Sequence, residues 1–262
     1  MKADSGPSLC PPTVGARKWA LFLDVDGTLL DIAATPETAK VPDDLPGILL
    51  RLSGWLDGAV ALVSGRALAD IDRMFFPLRL PAAGQHGAEL RDIGGRISEA
   101  PGTHGGLDAI RALLSRRFGE LTGVLIEDKG MSIAVHYRLA PEHGAYVRAA
   151  AEELAHPHAA TMTVLHGKQI VEFKSHAICK GTAVMALMDA PPFRGRVPVF
   201  IGDDRTDEDG FLTAARLGGL AIRVGDGPGR DAPWYFTTPY SLRAWLAGLP
   251  DRPADAPAGG TA

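Results

Sequence analysis

Cysteine is nearly absent from this chain: Cys10 and Cys179 are its only thiols in 262 residues. That scarcity excludes a disulfide framework and a cysteine zinc site as organising features. Long apolar runs are missing as well, since none reaches the roughly 18 residues a membrane helix needs. The opening MKADSGPSLCPPTVGARKWA lacks the continuous apolar stretch of a secretory signal. Nor is there a basic surplus. Lys and Arg number 27 against 31 Asp and Glu, a net charge of −4 with His neutral, whereas a general nucleic-acid binder usually carries the opposite balance. What is present, 46% hydrophobic and 22% charged residues, suits an ordinary globular protein. These readings place the chain in the cytoplasm, with neither membrane nor nucleic acid as partner. At about 150 residues per domain, its length allows one large domain or two small ones.

The 31 Gly and 20 Pro call for plentiful loops or tails. Residues 1–16 and 249–262, rich in Pro, Gly and Ala, read as disordered tails. Between them, the apolar runs Ala20–Leu23, Ala59–Val63 and Val197–Ile201 each end in a polar loop. Continuous apolar strands of this kind suit a parallel sheet buried on both faces. Leu45–Leu56, Ala67–Phe76 and Lys180–Met188 have helical spacing, so the outer thirds read as doubly wound α/β. The middle third differs. In Met131–Arg138, the residues Met131, Ile133, Val135 and Tyr137 alternate with Ser132, Ala134, His136 and Arg138. In Lys168–Lys174, Val171 and Phe173 alternate with Lys168, Glu172 and Lys174. Period-two alternation predicts antiparallel strands with one wet face, and Asp108–Phe118 and Pro141–Leu154 read as helices covering the other. The expected architecture is an α/β core of residues 17–103 and 177–248, interrupted by an α+β module over 104–176.

Asp24-Val25-Asp26-Gly27-Thr28 follows the first apolar run. Ligands in open α/β sheets collect at the carboxyl ends of strands, and residues two apart on an extended chain point the same way. Two crowded acids of different task can combine covalent catalysis with proton transfer; the plainer reading is an Asp-rich turn. Ser64-Gly65-Arg66 offers a hydroxyl, backbone amides and a guanidinium, although Ser-Gly turns are common. Lys180 opens a helix and, taken alone, reads as a surface lysine. Gly202-Asp203-Asp204-Arg205-Thr206-Asp207-Glu208-Asp209 puts five acids in seven positions after a strand. Acids complement a helix start, but a cluster beginning inside the turn also offers hard oxygen ligands to Mg²⁺. The histidines form no convincing transition-metal set.

In order along the chain, Asp24-x-Asp26-x-Thr28, Ser64, Lys180 and Gly202-Asp203-Asp204-x-x-Asp207 resemble the four motifs of the haloacid dehalogenase-like (HAD) phosphatase superfamily. Further segments narrow the resemblance to its trehalose-6-phosphate phosphatase family. They are Gly84-Gln85-His86-Gly87-Ala88-Glu89, Glu127-Asp128-Lys129-Gly130-Met131-Ser132, Val135-His136-Tyr137-Arg138, and Gly167-Lys168 with Glu172. The likeness spans about Trp19 to Trp245; Phe173–Cys179 departs from it by lacking the Pro that members often carry. The resemblance implies an HAD-like Rossmannoid core with a parallel sheet and an inserted α+β cap carrying an antiparallel sheet. It implies Asp24 as nucleophile, Asp26 as acid and then base, and Thr28, Ser64 and Lys180 on the phosphoryl oxygens. Mg²⁺ would be held by Asp24, the Asp26 backbone carbonyl and Asp203, with Asp204 and Asp207 one shell out.

The same likeness points to Glu127, Lys129 and Glu172 in the cap as sugar binders, with Arg66 and His86 helping from the core. The implied partner is a small sugar phosphate, taken by a monomer whose cap closes on hinges near Gly102–Gly106 and Ser175–Gly181. Rival readings are an HAD phosphatase for sucrose- or glucosylglycerol-phosphate, a sugar phosphomutase, and a catalytically silent phosphosugar sensor. The first differs in the cap residues and the second in needing a sugar bisphosphate. The third leaves the acids Asp24 and Asp26 without a purpose.

Overall fold

Short strands made only of apolar residues have no polar face to offer water, so they settle in the middle of a sheet. The computed structural model describes residues 9–13, 15–33, 38–100, 107–128, 130, 132–225, 227–229 and 231–251. In it β1 (Trp19–Leu23) and β2 (Val60–Val63) are buried at every position, and β10 (Val197–Gly202) at all but its first. They stand side by side in an eight-stranded sheet of order β12-β11-β10-β1-β2-β3-β4-β5. The other strands are β3 (Ala82–Gly84), β4 (Glu89–Arg91), β5 (Ile97–Glu99), β11 (Leu220–Val224) and β12 (Trp234–Phe236). From β12 to β3 every pair is parallel, and β4 runs antiparallel to β3.

Helices with one apolar stripe cover this sheet. In α1 (Leu45–Trp55) the buried residues are Leu45, Ile48, Leu49 and Leu52, the spacing of a single helix face. α2 (Leu68–Phe75) buries Leu68, Ile71 and Phe75. α5 (Lys180–Met188) packs with α6 (Glu208–Arg216), and α1 with α7 (Pro239–Gly248). Cys179 caps α5 by accepting from the Thr182 amide through Sγ, with the Thr182 hydroxyl closing a capping box.

The chain divides into two compact units, one formed by the residues up to Ser98 with those from Cys179 onward, the other by Glu99–Ile178. Each has its own apolar cluster. The second unit holds a four-stranded antiparallel sheet of order β6-β7-β9-β8, from β6 (Leu125–Asp128), β7 (Ser132–His136), β8 (Met162–Gly167) and β9 (Ile170–Ser175). Alongside are α3 (Leu107–Phe118) and α4 (Gly144–Ala155), whose apolar stripes join Ile133, Val135, Val171 and Phe173 in one cluster.

Three details depart from the sequence pattern. β7 is not wet on its second face, because Ser132 and Ala134 are buried as well as Ile133 and Val135; β6 and β9 flank it on both sides. Lys168 lies in the turn between β8 and β9, where Gln169 takes a φ of 64°, so the alternation belongs to β9 alone. Within the supposed N-terminal tail, Leu9 bridges Tyr235 and Thr13 and Ala16 are buried. Residues 1–8 and 252–262 lie outside the described residues, as do 101–106, which include the expected hinge at Gly102–Gly106.

Candidate functional site

The parallel order brings the carboxyl ends of β1, β2 and β10 to one edge, and the sequence places its chemical residues directly after those ends. Asp24 follows β1, its amide held by the Ile201 carbonyl of β10 at 2.9 Å. Lys180, first residue of α5, reaches the same place: Nζ donates to Asp24 Oδ1 and to Asp207 Oδ1, each at 2.6 Å. All three side chains are buried. The other oxygen of Asp207 accepts from the backbone amides of Asp203 and Asp204 at 2.9 and 3.0 Å. Asp207 therefore ties the post-β10 loop to the lysine. Asp204 caps the following turn, accepting from the Thr206 amide and hydroxyl.

Asp203 accepts from the Thr28 hydroxyl at 3.2 Å. Gly27 makes that approach possible, for at φ 84° a Cβ there would stand 2.1 Å from Asp203 Oδ2. Gly202 does the same for Asp207, whose Cγ would lie 2.3 Å from an added Cβ. Arg223 of β11, unsuspected from the sequence, donates to the Asp203 carbonyl and to Glu208 Oε1. No local motif marks it; only the sheet order brings it there.

Burial and crowding dominate the electrostatics. Desolvation, together with the neighbouring Asp207 and Asp204 charges, pushes Asp203 up to about 6. Burial also raises Asp24 and Asp207 despite the pull of Lys180. Burial alone would lower Lys180, but the charges of Asp24 and Asp207 outweigh it and keep the ammonium protonated. For Asp204, burial loses to Lys180 and the Thr206 hydrogen bonds, and the carboxyl titrates below its ordinary range. Carboxylate oxygens of Asp24, Asp203 and Asp207 lie within 4.8 Å of one another. Three carboxylates against one ammonium, all hard oxygen donors, fit a divalent cation such as Mg²⁺. Lys180 and two amides already occupy Asp207, whereas Asp203 accepts from Thr28, so Asp24 and Asp203 are the better placed ligands.

Asp26 stands apart from this cluster. Arg66 grips both of its oxygens, Nε to Oδ2 at 2.6 Å and Nη2 to Oδ1 at 2.7 Å. Ser64, buried at the end of β2, accepts the Arg66 amide on Oγ at 3.2 Å. His86 lies against this loop in a turn where it and Gln85 hold φ of 59° and 47°. Such left-handed non-glycine residues cost about 1–3 kcal/mol each and persist where surrounding structure demands them. Here the Gln85 and His86 amides donate to the Arg66 and Ser64 carbonyls at 2.8 and 2.9 Å.

The remaining expected residues lie in the second unit. Glu127 and Glu172 flank Ala134 in register across three neighbouring strands, so they share one face of the sheet. His136 Nε2 meets Glu127 Oε2 at 2.8 Å, and the Ser132 hydroxyl donates to Glu172 Oε1 at 2.5 Å. Neither partner stands out as a site residue in the sequence, though both follow from the strand register. Lys129 lies outside the described residues.

Comparison with known proteins adds a second line of findings. A family model described as trehalose-phosphatase matches residues 22–233. A probable trehalose-phosphate phosphatase from Sinorhizobium fredii is 44% identical, the match covering 88% of this chain and 87% of the relative. The trehalose-6-phosphate phosphatase of Escherichia coli is 39% identical, with 88% and 86% covered. Among solved structures, trehalose-6-phosphate phosphatase from Aspergillus fumigatus superposes with a TM-score of 0.68 at 25% identity, covering 90% of this chain and 93% of that one.

Proposed function

The chain belongs to the trehalose-phosphatase family and is a phosphoric monoester hydrolase, and from that premise we propose that it hydrolyses trehalose 6-phosphate through an aspartyl-phosphate. The observation that carries the reading is the buried Asp24–Lys180–Asp207 set at the ends of β1 and β10, with Asp26 two residues beyond the nucleophile. Asp24 attacks phosphorus, its C–O–P bond forming as the bond to the sugar oxygen breaks. Asp26 gives that oxygen a proton. It then takes one from a water that attacks phosphorus, and inorganic phosphate leaves with Asp24 restored. Lys180 orients Asp24 and, with Thr28 and Ser64, holds phosphoryl oxygens; prepositioned charge of this kind usually supplies most of the rate enhancement in phosphoryl transfer. Mg²⁺ held by Asp24, the Asp26 carbonyl and Asp203 would supply the positive charge that offsets repulsion between a carboxylate and a phosphate dianion. Asp204 and Asp207 position Asp203 and Lys180.

Glu127, Lys129 and Glu172 are the sugar-reading groups of this proposal, with His86 contributing from the first unit. A disaccharide presents hydroxyls and no charge beyond its phosphate, so carboxylates and an ammonium are suited to hydrogen-bond it. The chain acts as a cytoplasmic monomer; among the described residues no helix is long and apolar enough to cross a membrane. The test is phosphate release with Mg²⁺ across a panel of sugar phosphates. Trehalose 6-phosphate should lead clearly, and Asp24→Asn should fall to background. Full activity of Asp24→Asn would overturn the mechanism, and dependence on a sugar bisphosphate would mark a mutase instead.

A further inference from the structure

Resting on that reading of Asp26, we infer that Arg66 is a positioning residue for the acid–base carboxylate and not a contact to the sugar. The two-point fork carries the inference. Both oxygens of Asp26 accept from one guanidinium, at 2.6 and 2.7 Å, which fixes the plane of the carboxylate as well as its position. A carboxylate has about four lone-pair sites, and the fork occupies two. One remains on each oxygen for a leaving group or a water. Exposure agrees with this division: the Arg66 side chain is 12% exposed and that of Asp26 42%. The clamp lies inside while the working edge of the carboxylate opens outward.

Arg66 is itself anchored at both ends of its backbone. Its amide donates to Ser64 Oγ at 3.2 Å and its carbonyl accepts from Gln85 at 2.8 Å. Gly65 before it, though exposed, leaves room for the His86 ring, which an added Cβ would approach to 2.7 Å. The left-handed Gln85–His86 turn, the Ser64 loop and the guanidinium thus form one continuous support from the end of β2 to Asp26. Lysine could restore the charge but not the fork, being a point donor on a flexible stem.

The experiment compares Arg66→Ala and Arg66→Lys with the unchanged protein and with Asp26→Ala, using Mg²⁺ with trehalose 6-phosphate and with 4-nitrophenyl phosphate. General acid–base catalysis is worth about 10²–10⁴-fold, and losing the orientation of its carboxylate should cost Arg66→Ala about 10–100-fold in kcat on the sugar ester, with KM within about twofold. Arg66→Lys should recover part of that loss. Nitrophenolate leaves without protonation, so Arg66→Ala should still release about one nitrophenolate per chain in a burst before slow turnover. In an Asp26→Ala background, Arg66→Ala should change the rate by less than about twofold, as expected when one residue acts through the other. A raised KM with unchanged kcat would overturn the inference, since it marks a substrate contact, and so would full additivity with Asp26→Ala. Thermal melting separates misfolding from lost positioning; Arg66→Lys, which keeps the charge, carries the test should Arg66→Ala unfold. If Asp26→Ala itself turns over normally, the proposed mechanism fails; if only Arg66→Ala does, the inference alone fails.

Discussion

At the scale of single residues, the site works because a few atoms are missing where others must pass. Gly27→Ala would drive a Cβ into the Asp203 carboxylate, 2.1 Å away, at a φ of 84° that disfavours any side chain. Activity should fall at least about 100-fold, because a misplacement of about 1 Å can cost that much, while far-ultraviolet circular dichroism stays near that of the unchanged protein. The Asp203 carboxyl also sets a pH dependence. Its folded pKa of about 6 lies above the ordinary 3.8, so its contribution to stability is complete at low pH and is lost as pH rises through about 6. A bound cation favours the ionised form and must displace that proton. The gain in thermal midpoint on adding Mg²⁺ should therefore be larger at pH 7.5 than at pH 5, and an equal gain at both would contradict a metal held by Asp203.

Among the elements, legibility tracks burial on both faces. β1, β2 and β10 are visible in the sequence as unbroken apolar runs with polar ends, and α5 begins and ends where its spacing places it. Three-residue strands such as β3 (Ala-Ala-Gly) carry no period to read, and β7 loses its wet face to strands on both sides. At the site, the placement of Asp24 directly after β1 is legible, but the convergence expected of Asp24 and Asp26 is not met, since Asp24 pairs with Lys180 and Asp26 with Arg66. Pairings between distant loops are not legible, since Arg223 meets the Asp203 carbonyl only through the order of β10 and β11. Another pairing of this kind joins α2 to β4. Arg91, buried, donates to the Leu80 carbonyl and to Asp72, which also accepts from Arg79. Asp72→Ala would leave the Arg91 charge buried without its anion and should cost about 3 kcal/mol in urea unfolding, whereas Arg91→Met should cost far less.

Over the whole molecule, two apolar clusters imply two separable stabilities. Phe173→Ala, in the second cluster, should remove about 3–5 kcal/mol. Hydrogen exchange should quicken within Glu99–Ile178 while β1 and β10 keep their protection; uniform loss would show that the units unfold as one. The strand order has a further consequence for how the chain is made. Synthesis delivers residues from the amino end at about 5–20 per second. Glu99–Ile178 is one uninterrupted stretch and can fold as soon as it emerges. β1, at the centre of its sheet, must instead wait for residues 197–201, which are its partners in β10. Until they arrive, Asp24 lacks the Ile201 carbonyl that seats it, and Lys180, already made, still lacks Asp207, the second carboxylate it pairs with. The nascent chain therefore carries a finished four-stranded antiparallel sheet well before Asp24 is seated.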